Sequence, residues 1–431
     1  MKQTFFSSVL LVLACIFLAG CGGTSTPSST ATASGVKFRA FVSQDVSSSG
    51  TTAGLDIINA SLDTLVRAPG VSTGGAPGRM AVANNKVLTL VFDASNNSVN
   101  AVNNKQETSA GNVVLPGWTE SIAITTDATA GYAAVPGAPV AGQGTGAVEM
   151  LNLTNVSLEP QIPVPAVRYI VLSPDNTHLL AFSDNTDTAT LITFTNVGTS
   201  TSPNWQLSTT SPPALVAGLN RPVWAEFSAD SSTAYILNCG PECGGSAPAS
   251  VSVLSLSNNP NLTLSGSVTL PGGATHGVLL GTILYVAGSA PGTTCGPTTA
   301  ASFCGTLNVI NVSNPSSPQV TNTVTITDGY HNRMGLTADN QVFIGAHNCS
   351  NVNTSTEQRG CLSIYNGNTN SVVIGTDLGD VTGIAPVTGR TEVYVVQNGE
   401  LRIWDTTIDA LRPPQNQIDL VGHAVDVKIV D

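Results

Sequence analysis

Charge is scarce along this chain, and positive charge is scarcest of all. Only 10% of the 431 residues are Asp, Glu, Lys or Arg, and 27 acids outnumber 15 Lys and Arg. A surface with a formal charge of −12 repels a phosphate backbone, which argues against nucleic acid as a partner. The short motifs that advertise common chemistries are missing as well. There is no Gly-x-Ser-x-Gly elbow, no His-Glu-x-x-His pair and no phosphate-binding loop. The five histidines are scattered, and no clustered set of His and Cys completes a tetrahedral metal site. The apolar run from Phe5 to Phe17 is too short to span a bilayer comfortably. Ser, Thr, Asn and Gly abound instead, a composition common in exported β-proteins and poor for helices.

The first twenty residues read as an export address. Lys2 supplies a positive start, the apolar run follows, and Leu18-Ala19-Gly20-Cys21 resembles a bacterial lipobox. That resemblance implies removal of residues 1–20 and acylation of Cys21, with several acyl chains giving a stable membrane anchor. Gly22 stands where an Asp would favour inner-membrane retention, so outer-membrane placement is expected, on either side of that membrane. Residues 21–36 are almost wholly Gly, Ser, Thr, Ala and Pro, a flexible tether with a reach of roughly 20 Å. The folded body is then 37–431. Apart from Cys15 and Cys21, six cysteines form three local couples: Cys239 with Cys243, Cys295 with Cys304, Cys349 with Cys361. In an exported chain these are read as disulfides rather than as metal ligands.

What the body does contain is a repeat. Apolar, any, apolar, apolar, then Asn, Ser, Asp or Thr recurs eight times, from Leu55-Asp56-Ile57-Ile58-Asn59 to Leu401-Arg402-Ile403-Trp404-Asp405, with starts 39 to 60 residues apart. The fourth copy, Leu191-Ile192-Thr193-Phe194-Thr195, is blurred. This spacing is the period of a four-stranded propeller blade. An all-β fold is therefore expected: a single β-propeller of eight four-stranded blades, seven being the alternative. In the fifth blade the strands are placed at 223–230, 233–239, 250–257 and 262–270. The terminal segment 424–430 has no strand after it, and the opening strand 37–44 has none before it. Pairing the two closes the ring and hides the edges. Short turns join the first two strands of most blades, as in Thr125-Thr126-Asp127, Ser173-Pro174-Asp175 and Thr337-Ala338-Asp339, where Asp bonds its own backbone.

The segments Val171-Leu172-Ser173-Pro174-Asp175-Asn176-Thr177-His178-Leu179-Leu180 and Phe227-Ser228-Ala229-Asp230, the latter leading to Ala234-Tyr235-Ile236-Leu237, resemble the YVTN-type bacterial β-propellers. The resemblance spans most of 37–431 in degenerate form and implies a fold, since such proteins include surface proteins, lactonase-like proteins and many without known activity.

Strand alternation puts the longest loops, between second and third strands, on one face together with all three cysteine couples. His276, His331, His423 and His347 fall towards that face, with Arg333, Arg221, Trp118 and Glu120 at similar positions. His276, His331, Arg333, His423, Trp118 and Glu120 are the candidate binding residues at the channel mouth. For each His the preferred reading is a hydrogen bond within its own blade, and no catalytic residue, metal or cofactor is assigned. His178 is expected in solvent on the opposite face, and packing is expected for Trp118, Trp205, Trp224 and Trp404. Asp184-Asn185-Thr186-Asp187 lacks the Gly and distal Glu of a calcium hand. The leading functional reading is a monomeric, membrane-anchored, non-catalytic scaffold that binds an envelope protein or glycan through its long loops. The alternative is a propeller enzyme, lactonase-like or another hydrolase, with its site at the channel mouth.

Overall fold

The computed structural model describes residues 33–45, 53–257, 262–291 and 303–431. Residues 1–32, among them Cys21, lie outside them, as does Cys295. Within the described residues the strands form eight antiparallel blades, lettered A to D from the axis outwards. The A strands are Pro77–Val82, Ser121–Ile124, Val167–Leu172, Pro222–Phe227, His276–Leu280, Tyr330–Leu336, Val381–Pro386 and His423–Ile429. Each touches the next around a closed ring, the last packing on the first.

Ring closure is the expected one. Blade 1 reads, from outside in, Thr64–Val71, Gly54–Asn59, Arg39–Asp45 and then the C-terminal His423–Ile429, with Phe41 opposite Lys428 and Val42 opposite Val427. The fifth blade has its strands at Pro222–Phe227, Thr233–Asn238, Ser250–Ser255 and Leu264–Thr269, each end within a few residues of expectation. In blades 3, 4 and 8 the outermost strand is broken into two short pieces.

The repeated signature is the C strand. Its apolar residues are buried because the middle strands are sandwiched between neighbouring blades, so both faces of the pleat need apolar cover. Each inter-blade seam is a small core: Leu90 and Phe92 of blade 2, for example, meet Ala133, Val135 and Leu151 of blade 3. The polar residue closing the signature is a turn former. The side-chain oxygens of Asn59, Asn103, Asn152, Asn311, Asn366 and Asp405 accept backbone N–H groups two or three residues on, at 2.9–3.0 Å.

The A–B turns share one design. In blades 3, 4, 5 and 7 a Thr or Ser hydroxyl donates to the Asp two residues on, at 2.5–2.7 Å: Thr125 to Asp127, Ser173 to Asp175, Ser228 to Asp230, Thr337 to Asp339. The next residue takes a left-handed conformation: Ala128 (φ 65°), Asn176 (65°), Ser231 (58°) and Asn340 (67°). His178, beside one of these turns, is half-buried and bonded to the Thr177 hydroxyl at 2.7 Å, rather than free in solvent.

Two charged clusters lock the seams around blade 1. Arg39 binds the carboxylate of Asp431, the last residue, through Nε (2.8 Å) and Nη2 (2.6 Å), and reaches Glu107 of blade 2 at 2.9 Å. On the other side, buried Asp63 accepts from Arg390 (2.8–2.9 Å), Arg412 and the Tyr394 hydroxyl (2.5 Å) of blade 8. Burial opposes ionisation of Asp63, but the bonds from Arg390 and Tyr394 outweigh it and hold its pKa below the ordinary value.

Candidate functional site

The central channel is lined by side chains from the A strands and their approaches in all eight blades, around a cavity of about 250 Å³. A second cavity of about 350 Å³ lies between blades 4 and 5, and Tyr169, Val223 and Tyr330 belong to both walls. The two together form a mouth ringed by aromatic side chains on the loop-bearing face.

Three cations stand on the channel wall: Arg79 of blade 2, Arg333 of blade 7 and Lys428 of blade 1. The two carboxylates beside them are already engaged. Glu120 binds the Arg168 guanidinium. Asp426 accepts the backbone N–H groups of Met80 and Val427 at 2.9 Å and faces Lys428 Nζ at 3.5 Å. Arg333 bonds to carbonyls, giving Nε to Thr382 O (2.6 Å) and Nη1 to Asn332 O (2.7 Å). Burial, then the neighbouring charge of Arg79, pulls its pKa down to about 9. His276 leans on Trp224 with ring centres 4.4 Å apart. Burial, reinforced by Arg333, Arg79 and Lys428, depresses its pKa to about 3, so it is a neutral ring at neutral pH.

Of the six candidates named from sequence, His276, Arg333 and Glu120 line the channel. His331 is fully buried and turned into its own blade, its Nε2 2.9 Å from Thr327 O, and burial lowers its pKa to about 4. His423 sits at the exposed start of the last strand, its imidazole lying over Gly399, where any Cβ would strike the ring. Trp118 is 47% exposed on the connection between blades 2 and 3. Packing accounts for Trp404, which is buried, and for Trp205, which donates to Asp127 across a seam at 2.8 Å. It does not account for exposed Trp118, whereas Trp224 both packs against the core between blades 5 and 6 and lines the channel, its Nε1 donating to Glu226 at 2.9 Å. Burial raises the Glu226 pKa to about 7.

Sequence reasoning missed Arg79, Lys428, Tyr169 and Tyr330. All lie in A strands, whose starts were placed to within a few residues, so the inward-facing positions of each were the signal available.

The cysteine couples are bonded as expected at Cys239–Cys243 and Cys349–Cys361, and Cys304 is also in a disulfide. The loops they staple fasten neighbours. Glu242, inside the first, accepts the Ser289 N–H of blade 6 at 2.8 Å. In the second, Ser350 N donates to Asp328 at 3.1 Å, and just before it Asn348 N donates to Asp380 at 2.8 Å. Asp184 and Asp187 face Arg168 and Arg221. Among the described residues no three His, Cys, Asp or Glu side chains converge to hold a metal ion.

No protein-family model matches this sequence, and no curated protein matches it. Solved structures do. A dihydro-heme d1 dehydrogenase, NirN, in complex with DHE is similar with a TM-score of 0.59 at 13% identity, over 93% of this chain and 76% of that one. A functionally unknown protein from Desulfotomaculum acetoxidans follows with a TM-score of 0.53 at 14% identity, over 91% and 98%. A Lactobacillus plantarum protein has a TM-score of 0.51 at 16% identity, over 91% and 99%. At such identities the likeness is one of fold. The chain is an eight-bladed β-propeller, and the propeller fold is shared by neighbours of varied function.

Proposed function

We propose that this chain is a lipid-anchored, YVTN-type propeller of the bacterial envelope, tethered at the outer membrane and acting as a non-catalytic binding module. The observation that carries the binding role is the mouth of the channel. There a cavity of about 250 Å³ opens beside one of about 350 Å³ on the loop-bearing face, with polar and aromatic walls drawn from every blade. Loops held by a rigid scaffold are where recognition usually resides, and here the stapled 239–243 loop contributes Cys243 to the cavity wall. The enzymatic alternative loses one of its expected members, because His331 faces its own blade. The Leu18-Ala19-Gly20-Cys21 motif supports the anchor, and the Ser173-Pro174-Asp175-Asn176 turn supports the repeat type.

Two experiments test this. Cys21→Ala should move the chain from the membrane fraction to the soluble one and abolish incorporation of labelled palmitate; unchanged fractionation refutes the anchor. A thermal-shift screen with small molecules of every charge class should give stabilising compounds whose effect is weakened by Tyr330→Ala. A screen without any such compound refutes the binding site.

A further inference from the structure

We infer that the channel mouth takes a small organic carboxylate, its charge held between Arg79 and Arg333 and its flat apolar body against the surrounding aromatic rings. This rests on the binding reading above and adds the chemistry of the ligand.

The chain has nearly twice as many acids as Lys and Arg, yet its channel reverses that balance. Arg79, Arg333 and Lys428 line the cavity against Glu120 and Asp426, and Arg168 from the adjoining wall already neutralises Glu120. Lys428 faces Asp426. Arg79 and Arg333 are left without a carboxylate partner among the described residues. Burial lowers the pKa of Arg333 most and the charge of Arg79 adds to it, while the already engaged carboxylates of Asp426 and Glu120 oppose that only in part. Like charges sharing a partly desolvated space are unfavourable unless an anion joins them. Arg333 is preset for that role, because Thr382 O and Asn332 O fix Nε and Nη1 in place. Guanidinium groups match the planar, two-oxygen edge of a carboxylate. The remaining wall is of a different kind. Tyr169, Trp224 and Tyr330 contribute rings to it, and His276, neutral at physiological pH, packs tilted against Trp224. Such rings favour a flat, apolar body. About 250 Å³ is near the lower end of ligand pockets, so the occupant is small.

The test is calorimetric titration of the full chain in detergent at pH 7.5 and low salt. The probes are benzoate, indole-3-acetate and succinate, with benzamide and benzylamine as uncharged and cationic controls. At least one carboxylate should bind, and benzamide should bind about tenfold more weakly than benzoate or not at all. Arg79→Gln should weaken the carboxylate by about tenfold while the ligand-free melting temperature holds or rises, since a repulsion is removed. Three outcomes overturn the inference: no carboxylate binds, benzamide or benzylamine binds as well as benzoate, or Arg79→Gln keeps full affinity. If the broad screen yields only neutral or cationic ligands, the carboxylate assignment falls and the binding role stands. A screen empty in every class removes both.

Discussion

The clamp formed by Arg39 is where ring closure can be tested most sharply. Its guanidinium joins the first strand of the fold to Asp431 at the chain's end and to Glu107 of blade 2. The side chains of Arg39 and Glu107 are 9% and 0% exposed, so neither charge can retreat into water. Replacing Arg39 with Met preserves the aliphatic stem but strands the Glu107 carboxylate, which among the described residues keeps only the N–H and hydroxyl of Ser34, both at 2.5 Å. Breaking a buried pair from one side costs about 3–5 kcal/mol. A domain of about 400 residues unfolds with an entropy of roughly 0.8 kcal/mol/K, so the melting temperature should fall by about 4–6 °C. The assay is differential scanning calorimetry of wild type, Arg39→Met, Glu107→Gln and the double variant. The double variant should recover much of the loss, because no unpaired charge remains. Hydrogen exchange should quicken first in Arg39–Asp45 and His423–Ile429, the two strands that the clamp fastens. A melting temperature within 1 °C of wild type for Arg39→Met, or strictly additive single variants, would show that the clamp does not secure the closure.

Three further predictions concern a half-buried acid, a turn and a staple. Burial keeps Glu226 protonated in the fold up to about pH 7, whereas the unfolded chain releases that proton near the ordinary value of 4.5. Its raised pKa therefore costs stability as pH rises from about 4.5 to 7, by at most about 3 kcal/mol. Glu226→Gln should gain on wild type across that window in pH-dependent melting, and a constant gap refutes the assignment. Asn176 combines a left-handed backbone with side-chain bonds to the Thr126 N–H and hydroxyl at 2.9 and 2.8 Å. Urea unfolding should show Asn176→Gly losing about 1–2 kcal/mol for the bonds and Asn176→Ala about 1 kcal/mol more for the backbone; equal losses contradict this. Removing the Cys349–Cys361 bridge, whose partners lie 12 residues apart, should cost about 3 kcal/mol on the chain-entropy view and expose 350–359 to protease. A bridge whose loss changes neither melting nor cleavage is not a staple.

The fold was legible because its information is local and repeated. The C strand carries its burial pattern within five residues in each blade, closed by a turn-forming Asn in five of them and by Asp405 in blade 8. The A–B turns likewise announce themselves through Ser or Thr followed two residues later by Asp. Closure could be deduced because one strand was left over at each end, and Phe41 opposite Lys428 is the pairing that deduction required. The site obeys another logic. Each blade supplies only a few residues to the channel, at inward-facing positions of an A strand, and neighbours at the axis are tens of residues apart in the chain. Arg333 can be placed at the channel mouth from its strand position, but its sharing of one cavity with Arg79 comes from ring geometry that no local pattern encodes. Orientation is equally invisible. In blade 7 a register shift between His331 and Arg333 separates the buried imidazole from the guanidinium on the channel wall. Two residues of one candidate set thus part company over an irregularity that the sequence does not announce. The propeller makes its scaffold readable by repetition and its chemistry distinctive by breaking that repetition at the axis, so the unrepeated charges of the A strands are where specificity has to be sought.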